Sequence, residues 1–171
     1  MTSLSTKRLC RAGVIAALYT TLTYAFAPVA FGSLQIRPAE ALCILPLFFV
    51  EAIPALYVGC LLANLTSPFL FYDLLLGGGA TLLGALGTYL VGRYVKNRKL
   101  KIFLGGFSPI FFNTLIIPFI IVVLCGGAIA GQTIASAYFL TALSIFLTES
   151  LCVYGLGIPM YAFFEKKSRK K

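Results

Sequence analysis

The sequence predicts an all-α polytopic membrane protein, a bundle of six transmembrane helices with both termini in the cytoplasm. Of its 171 residues, 60% are hydrophobic and only 11% are charged, and the mean hydropathy is +0.96. A soluble domain is about half apolar and about a quarter charged. The chain therefore has too little polar surface to coat a water-soluble globule. Separate hydrophobic runs, with basic residues clustered at their ends, give the number and direction of the spans.

Polar residues or Gly and Pro separate the hydrophobic runs, and we interpret each run as one span. A helix needs about 20 residues to cross about 30 Å of hydrocarbon. The second and third runs are shorter, and Pro46 and Pro54 mark a kink or a helix start. The sixth is longer than one crossing needs, and Gly155, Gly157 and Pro159 are candidate breaks. The predicted spans lie near residues 12–29, 38–50, 53–68, 73–93, 102–126 and 136–164.

The basic residues orient this bundle. The net charge is +9, and every Lys and Arg except Arg37 lies in one of three clusters. Positively charged loops stay in the cytoplasm. Six spans place all three clusters on that side, whereas five or seven would misplace one. No basic helix face carries interleaved polar residues that could read bases, which argues against nucleic-acid binding. The clusters are Lys7, Arg8 and Arg11; Arg93, Lys96, Arg98, Lys99 and Lys101; and Lys166, Lys167, Arg169, Lys170 and Lys171.

The two ends of the chain are interpreted from the same pattern. Basic residues before an apolar run, followed by Ala25-Phe26-Ala27, imitate a signal peptide with its cleavage site. Because everything downstream is also hydrophobic, we interpret this run as a first helix that stays attached. Residues 165–171 form a basic cytoplasmic tail, and residues 1–171 form one membrane domain. These features are typical of a multi-pass protein of a bacterial plasma membrane.

Several kinds of enzyme and cofactor site are not supported. The five cysteines show no CxxC spacing and the chain has no histidine, so neither a disulfide framework nor a metal site is indicated. The run Gly77-Gly78-Gly79 lacks the lysine of a phosphate-binding loop. No HExxH or GxSxG motif occurs, and only one aspartate lies at membrane depth. We therefore expect no catalytic residue and no cofactor.

Polar side chains at membrane depth are costly, so each is a candidate for function. Arg37 and Glu40 open the second span three residues apart and share one helix face. They form either an ion pair that anchors the helix at the outer interface, or part of a ligand pocket. In the second case Gln35 and the preceding loop act as a lid.

Four further polar residues are expected in the outer half of the bundle. Glu149 lies in the sixth span, where a buried carboxylate needs a partner, either a donor on a ligand or Arg37. Asn64 and Asn113 either hydrogen-bond between helices or contact ligand. Asp73 follows Tyr72 at an outer helix start, where N-capping is the favoured role.

Carboxylates, amides and aromatic rings together suit a small, flat heterocycle rich in hydrogen-bond donors. A guanine-like edge offers adjacent N–H donors to one carboxylate, and rings can stack on its face. The aromatic residues expected near the site are Phe31, Tyr72, Tyr138 and Tyr154.

Small residues form two stripes that allow close helix approach. In the first span Ala12 and Ala16, with Gly13 and Ala17 beside them, lie near the cytoplasmic end, where another subunit could dock. The stripe in the fourth span is expected to pack within the bundle. It consists of Ala80, Gly84, Thr88 and Gly92.

Three phrases of the sequence resemble the QueT-type transporters of queuosine precursors, which are substrate-binding (S) components of energy-coupling factor transporters. They are RAGVIAALYTTLT, FGSLQIRPAEALCILP and GCLLANLTSP, and the segment from Gln35 to Leu42 is the most specific. The resemblance extends over most of the chain in length and span layout.

This resemblance implies a six-helix protein that binds its cargo from the outer side. It then docks on a transmembrane coupling subunit and two cytoplasmic ATPases. It implies docking through Ala12 and Ala16, ligand roles for Arg37, Glu40 and Asn64, and 7-aminomethyl- or 7-cyano-7-deazaguanine as cargo. The ligand roles of Asp73, Asn113 and Glu149 rest on depth alone. A self-sufficient secondary transporter of a purine-like or vitamin-like molecule is the alternative, and an intramembrane enzyme or assembly factor is a third.

Overall fold

The computed structural model describes residues 2–30, 35–127 and 132–168, and within these ranges every regular element is helical. The all-α class is therefore confirmed. The helices are α1 (Thr2–Ala25), α2 (Ala27–Ala30), α3 (Pro38–Leu47), α4 (Ala52–Asn64), α5 (Leu70–Tyr94), α6 (Arg98–Leu124) and α7 (Ile134–Ser168).

Three of these helices are long and apolar enough to cross a membrane. They are α5 with 25 residues, α6 with 27, and the 33-residue stretch Ile134–Lys166 of α7. The helices α3 and α4 are apolar but shorter. Large apolar side chains such as Phe71, Phe139 and Leu151 are exposed on the outside of the bundle, as expected for a surface that faces lipid. The count of six spans and the cytoplasmic position of both termini stay predictions.

The helix α7 runs without a break through Gly155, Gly157 and Pro159, so the predicted interruption is wrong. Pro159 removes only the hydrogen bond to the carbonyl of Gly155. The many other backbone bonds of this long helix hold it together. Gly157 lies beside α3, since a Cβ there would be in ordinary van der Waals contact, 3.5 Å from the Ala41 carbonyl oxygen.

The short second run forms a 3₁₀-helix at the centre of the bundle. In α3 every residue from Ala39 to Pro46 is buried, and the helix packs against α1, α5, α6 and α7. A 3₁₀-helix rises about 2.0 Å per residue, so its ten residues extend about 20 Å. Pro38 occupies its first turn, which requires no amide donor.

Two long helices contain π-helical segments. In α5 this segment is Asp73–Gly77, and in α6 it is Phe119–Leu124, directly after Pro118. Such segments are often found at functional sites in helices. The first of them carries Asp73, one of the predicted site residues.

Small residues bring the helices into close contact. A Cβ at Gly84 would lie 2.8 Å from the Cα of Pro109 on α6, and a Cβ at Gly92 would lie 3.0 Å from the Cα of Leu47 on α3. Ala80 and Thr88 are fully buried on the same face. The prediction that the stripe in the fourth span packs inside the bundle is confirmed.

A chain of contacts joins the three basic clusters at one end of the bundle, the basic end. The guanidinium of Arg11 lies 4.2 Å from the ring centroid of Phe49, which is 5.4 Å from that of Phe164. The next residue, Glu165, forms an ion pair of 2.8 Å with Arg98. The clusters share one end, as a common cytoplasmic side requires.

Candidate functional site

Seven polar side chains form a buried cluster inside the bundle, which we call the polar cluster. All six residues predicted for the site belong to it, and none of the seven is more than 6% exposed. Six helices contribute to it, so the side chains come together only when the bundle folds. Its members are Tyr19, Arg37, Glu40, Asn64, Asp73, Asn113 and Glu149.

Glu40 is completely buried in the first turn of α3. One carboxylate oxygen accepts a hydrogen bond from the Tyr19 hydroxyl of α1, and the other accepts one from the Cys43 thiol at 3.1 Å. Among the described residues these two are its hydrogen-bond partners. A direct ion pair with Arg37, the first of the two alternatives, is not formed between these two described residues. A carboxylate has about four acceptor positions, so Glu40 can accept further donors.

Arg37 precedes α3, and its guanidinium donates two hydrogen bonds to neighbouring parts of the chain. Its Nε donates to the carbonyl of Ala30 and its Nη2 to the Oε1 of Gln35, both at 3.2 Å. Gln35 has a φ of +52°, a left-handed conformation that is uncommon for a residue with a side chain. The Arg37 guanidinium lies near enough to Asp73 and Glu40 to interact electrostatically with both. The loop proposed as a lid, 31–34, lies outside the described residues.

Asn64 and Asp73 form a second part of the cluster. The Asn64 amide donates to the backbone carbonyl of Asp73 at 2.9 Å, where the π-helical segment begins. The Asp73 carboxylate accepts a hydrogen bond from Ser67. The predicted N-cap role of Asp73 is wrong, because α5 begins earlier, at Leu70, and Asp73 lies inside it. Asn64 thus stabilises the irregular backbone from which the Asp73 side chain projects.

Asn113 and Glu149 join α6 to α7 deep in the bundle. The Asn113 Nδ2 donates to Glu149 Oε1 at 2.6 Å. The second oxygen, Oε2, is buried and has no hydrogen-bond partner among the described residues. At a rise of 1.5 Å per residue, Glu149 lies about 22 Å along α7 from Ile134. Glu149 also interacts electrostatically with Glu40 and Arg37.

The charges of the polar cluster are unequal. It holds three carboxyl groups, from Glu40, Asp73 and Glu149, against one guanidinium, from Arg37. Buried charges are costly unless they are paired. The arrangement therefore suits a ligand that offers N–H donors or a positive charge. Among the described residues, no group of His, Cys, Asp and Glu side chains is placed to hold a metal ion.

The aromatic residues predicted to stack on a ligand lie elsewhere. Tyr72 is 38% exposed, the half-buried Tyr138 donates to the carbonyl of Leu115 at 2.9 Å, and Tyr154 donates to that of Phe103 at 2.7 Å, toward the basic end. The prediction is wrong for these three residues, and Phe31 lies outside the described residues.

Tyr19 is the aromatic residue that the sequence interpretation missed. It lies in α1 and is only 2% exposed. Its hydroxyl donates directly to Glu40. A hydroxyl in the middle of an apolar run was the signal that could have identified it, by the same depth criterion that selected the other six residues.

The two alanines predicted to dock another subunit face the bundle. Ala12 and Ala16 are partly buried against the core formed by α1, α3 and α4. A Cβ at Gly59 of α4 would lie 2.9 Å from the Ala16 carbonyl oxygen. Gly13 and Ala17 are exposed on the neighbouring face, and the space around Gly13 is open. The exposed small residues of α1 are therefore Gly13 and Ala17, each one position after the predicted Ala12 and Ala16.

Comparison with known proteins places the chain in a family. The model of the family described as QueT transporter matches residues 9–166. The Queuosine precursor transporter QueT of Lactococcus lactis subsp. cremoris (strain MG1363) is 32% identical to it over 87 residues, which are 49% of this chain and 51% of that protein. The match thus spans about half the length of this relative. No solved structure matches. Because the family model covers almost all of the sequence, the chain belongs to the QueT transporter family.

Proposed function

We propose that this protein is the substrate-binding S component of an energy-coupling factor importer for a queuosine precursor. The observation that carries the proposal is the polar cluster, a set of charged and amide side chains buried inside a bundle of long apolar helices in a chain of the QueT transporter family. A purely structural bundle gains little from burying three carboxyl groups with one guanidinium. A transporter uses such groups to replace the water that its cargo loses.

The proposed cargo is 7-aminomethyl- or 7-cyano-7-deazaguanine, bound from the outer side. The related protein from Lactococcus lactis carries the name of a queuosine precursor transporter, which supports this choice. A guanine-like edge presents adjacent N–H donors, and the buried carboxylate of Glu40 has acceptor positions left to receive them. The Tyr19 hydroxyl holds that carboxylate in place.

The other members of the polar cluster complete the proposed substrate site. Arg37 can donate to the carbonyl oxygen of the heterocycle, and Asn113 and Glu149 lie at its deep end. Asp73 closes the outer part, and Asn64 contributes by holding the backbone carbonyl of Asp73.

Energy for import is proposed to come from partner chains, a transmembrane coupling subunit and two cytoplasmic ATPases. The sequence itself contains no phosphate-binding loop motif. The proposed docking surface is the part of α1 that carries Ala12 and Ala16, together with their exposed neighbours Gly13 and Ala17. An apolar groove of about 180 Å³ opens beside it, lined in part by Val14, Leu18 and Phe164.

Uptake of labelled 7-aminomethyl-7-deazaguanine into proteoliposomes tests this function. We expect uptake only when the coupling subunit and both ATPases are reconstituted with the protein and ATP is supplied on the ATPase side. Uptake by the protein alone, driven by an ion gradient, would instead show the secondary transporter. The absence of uptake with all subunits present and active on another cargo would overturn the assigned substrate.

Docking is tested with a matched pair of glycine substitutions. Gly13 on α1 and Gly155 on α7 both have open space where a side chain would project. We expect Gly13→Trp to keep substrate binding but to lose co-purification with the coupling subunit, and Gly155→Trp to keep both. Equal co-purification of the two variants would contradict docking through this face of α1. Ala16→Trp is less informative, because it would also displace α4 from α1.

A further inference from the structure

We propose that Glu149 and Asn113 form a subsite for a positively charged amine, which makes the transporter selective for the cationic form of its cargo over neutral forms. This inference rests on the proposed function, since it concerns the same polar cluster. It identifies which end of the cluster recognises the variable substituent of the heterocycle. It also assigns a role to the one buried carboxyl oxygen of the cluster that lacks a partner.

The hydrogen bonding of Glu149 leaves a defined acceptor unused. Its Oε1 is occupied by the Asn113 amide at 2.6 Å, while its Oε2 is buried without any partner among the described residues. Glu149 is only 3% exposed, so bulk water does not solvate this oxygen. An unsatisfied buried acceptor typically costs about 1–3 kcal/mol, and more when it is charged. A ligand donor that enters the cluster removes this cost.

The charge balance selects a cation among the possible donors. Glu149 lies near enough to Glu40 and Arg37 to interact electrostatically with both, and Arg37 interacts in the same way with Asp73 and Glu40. The Arg37 guanidinium donates to Ala30 and Gln35, at the outer side of the cluster. The cluster holds one guanidinium against three carboxyl groups, and an alkylammonium group would add a second cationic donor beside them.

The chemistry of a primary alkylamine fits this position. Its pKa lies near that of lysine, so it is protonated at neutral pH and carries three N–H donors. One of these can reach Oε2 while Asn113 keeps Oε1 oriented. A nitrile or a hydroxymethyl group of similar size has no charge. Glu40 instead binds the heterocycle edge, which all these compounds share.

The experiment compares three ligands by equilibrium binding to the detergent-purified protein. They are the aminomethyl, cyano and hydroxymethyl derivatives of 7-deazaguanine. We expect the wild-type protein to bind the aminomethyl compound at least tenfold, or about 1.4 kcal/mol, more tightly than either neutral compound. Glu149→Gln keeps the size of the side chain and should reduce this ratio to about threefold or less. It should weaken binding of the aminomethyl compound more than binding of the cyano compound.

The outcomes separate this inference from the proposed function. If wild type binds the hydroxymethyl and aminomethyl compounds equally, or if Glu149→Gln keeps the full ratio, the amine subsite is wrong and the transporter assignment stands. If folded wild type binds none of the three compounds, both proposals are overturned. The ligand comparison needs only wild-type protein, so it remains decisive even if the variant does not fold. Glu40→Gln is the matched variant, and it should weaken all three ligands by a similar factor.

Discussion

The side-chain amide of Asn113 donates a 2.6 Å hydrogen bond to Glu149 Oε1 and so links α6 to α7 in the interior of the bundle. Each residue lies in the middle of a helix that is long and apolar enough to cross a membrane. The pair is therefore both a structural link between two helices and the deep end of the polar cluster. These two roles make different predictions.

The structural role predicts strong coupling between the two positions. Asn113→Leu should lower the free energy of unfolding by about 1–3 kcal/mol, because it leaves a buried carboxyl group without its donor. Adding Glu149→Leu removes that carboxyl group and should restore part of the loss, as when a buried polar pair is replaced by apolar residues. Thermal unfolding of both single variants and the double variant in detergent measures this coupling. Additive effects would show that the hydrogen bond contributes nothing to stability.

The packing of α5 on α6 predicts opposite effects for two glycines of one helix. A Cβ at Gly84 would lie 2.8 Å from the Cα of Pro109, whereas none of the surrounding atoms lies within 4 Å of a Cβ at Gly79. Gly84→Ala should therefore destabilise the bundle by about 1–3 kcal/mol through overpacking. Gly79→Ala should be neutral or stabilising by up to about 1 kcal/mol, because alanine favours helix. Thermal unfolding of the two variants checks this contrast, and equal stability would contradict the close α5–α6 contact.

The predicted orientation can be tested with a cysteine already present. Cys10 is exposed in α1, close to Arg8 and Arg11, whereas Cys43, Cys60 and Cys152 are buried. A maleimide that cannot cross the membrane should label Cys10 in inverted vesicles and leave it unlabelled in intact cells. The protein for this measurement carries Cys125→Ala, so that Cys10 is the accessible thiol. Labelling of Cys10 in intact cells would place the basic end outside and contradict the assigned direction of import.

Much of the fold follows from hydropathy and charge. Each predicted run from 53–68 onward corresponds to one observed helix, and the contacts of Arg11 with Phe49 and of Arg98 with Glu165 bring the basic clusters to one end. The conformation of α3 as a 3₁₀-helix and the continuity of α7 could not be predicted from the amino acids of each segment alone. They depend on packing against several neighbouring helices.

The membership of the polar cluster was predictable from the position of polar residues within the apolar runs. The direction in which each side chain faces was not predictable. The rule that a polar residue at membrane depth is a functional candidate selected six residues that the structure buries together. The position of a residue along a helix does not tell which way it faces. Tyr72 was expected at the site and is exposed, and Tyr138 donates instead to the carbonyl of Leu115. Ala16 was expected at an open surface and packs against Gly59. Tyr19 was missed because its role depends on the hydrogen bond that it donates to Glu40, a residue of another helix.

The most direct test of substrate recognition is equilibrium binding of 7-aminomethyl-7-deazaguanine to the purified protein, with guanine, riboflavin and biotin as control ligands. The wild-type protein should bind one molecule tightly and discriminate against all three controls. Glu40→Gln should weaken binding at least tenfold, or about 1.4 kcal/mol, because it removes the buried carboxylate that receives the heterocycle edge. The matched variant Glu51→Gln, altered at the ion pair with Arg11 at the basic end, should bind like wild type. Absence of binding by folded wild-type protein, or equal affinities of the Glu40→Gln and Glu51→Gln variants, would contradict the assigned cargo or the assigned site respectively.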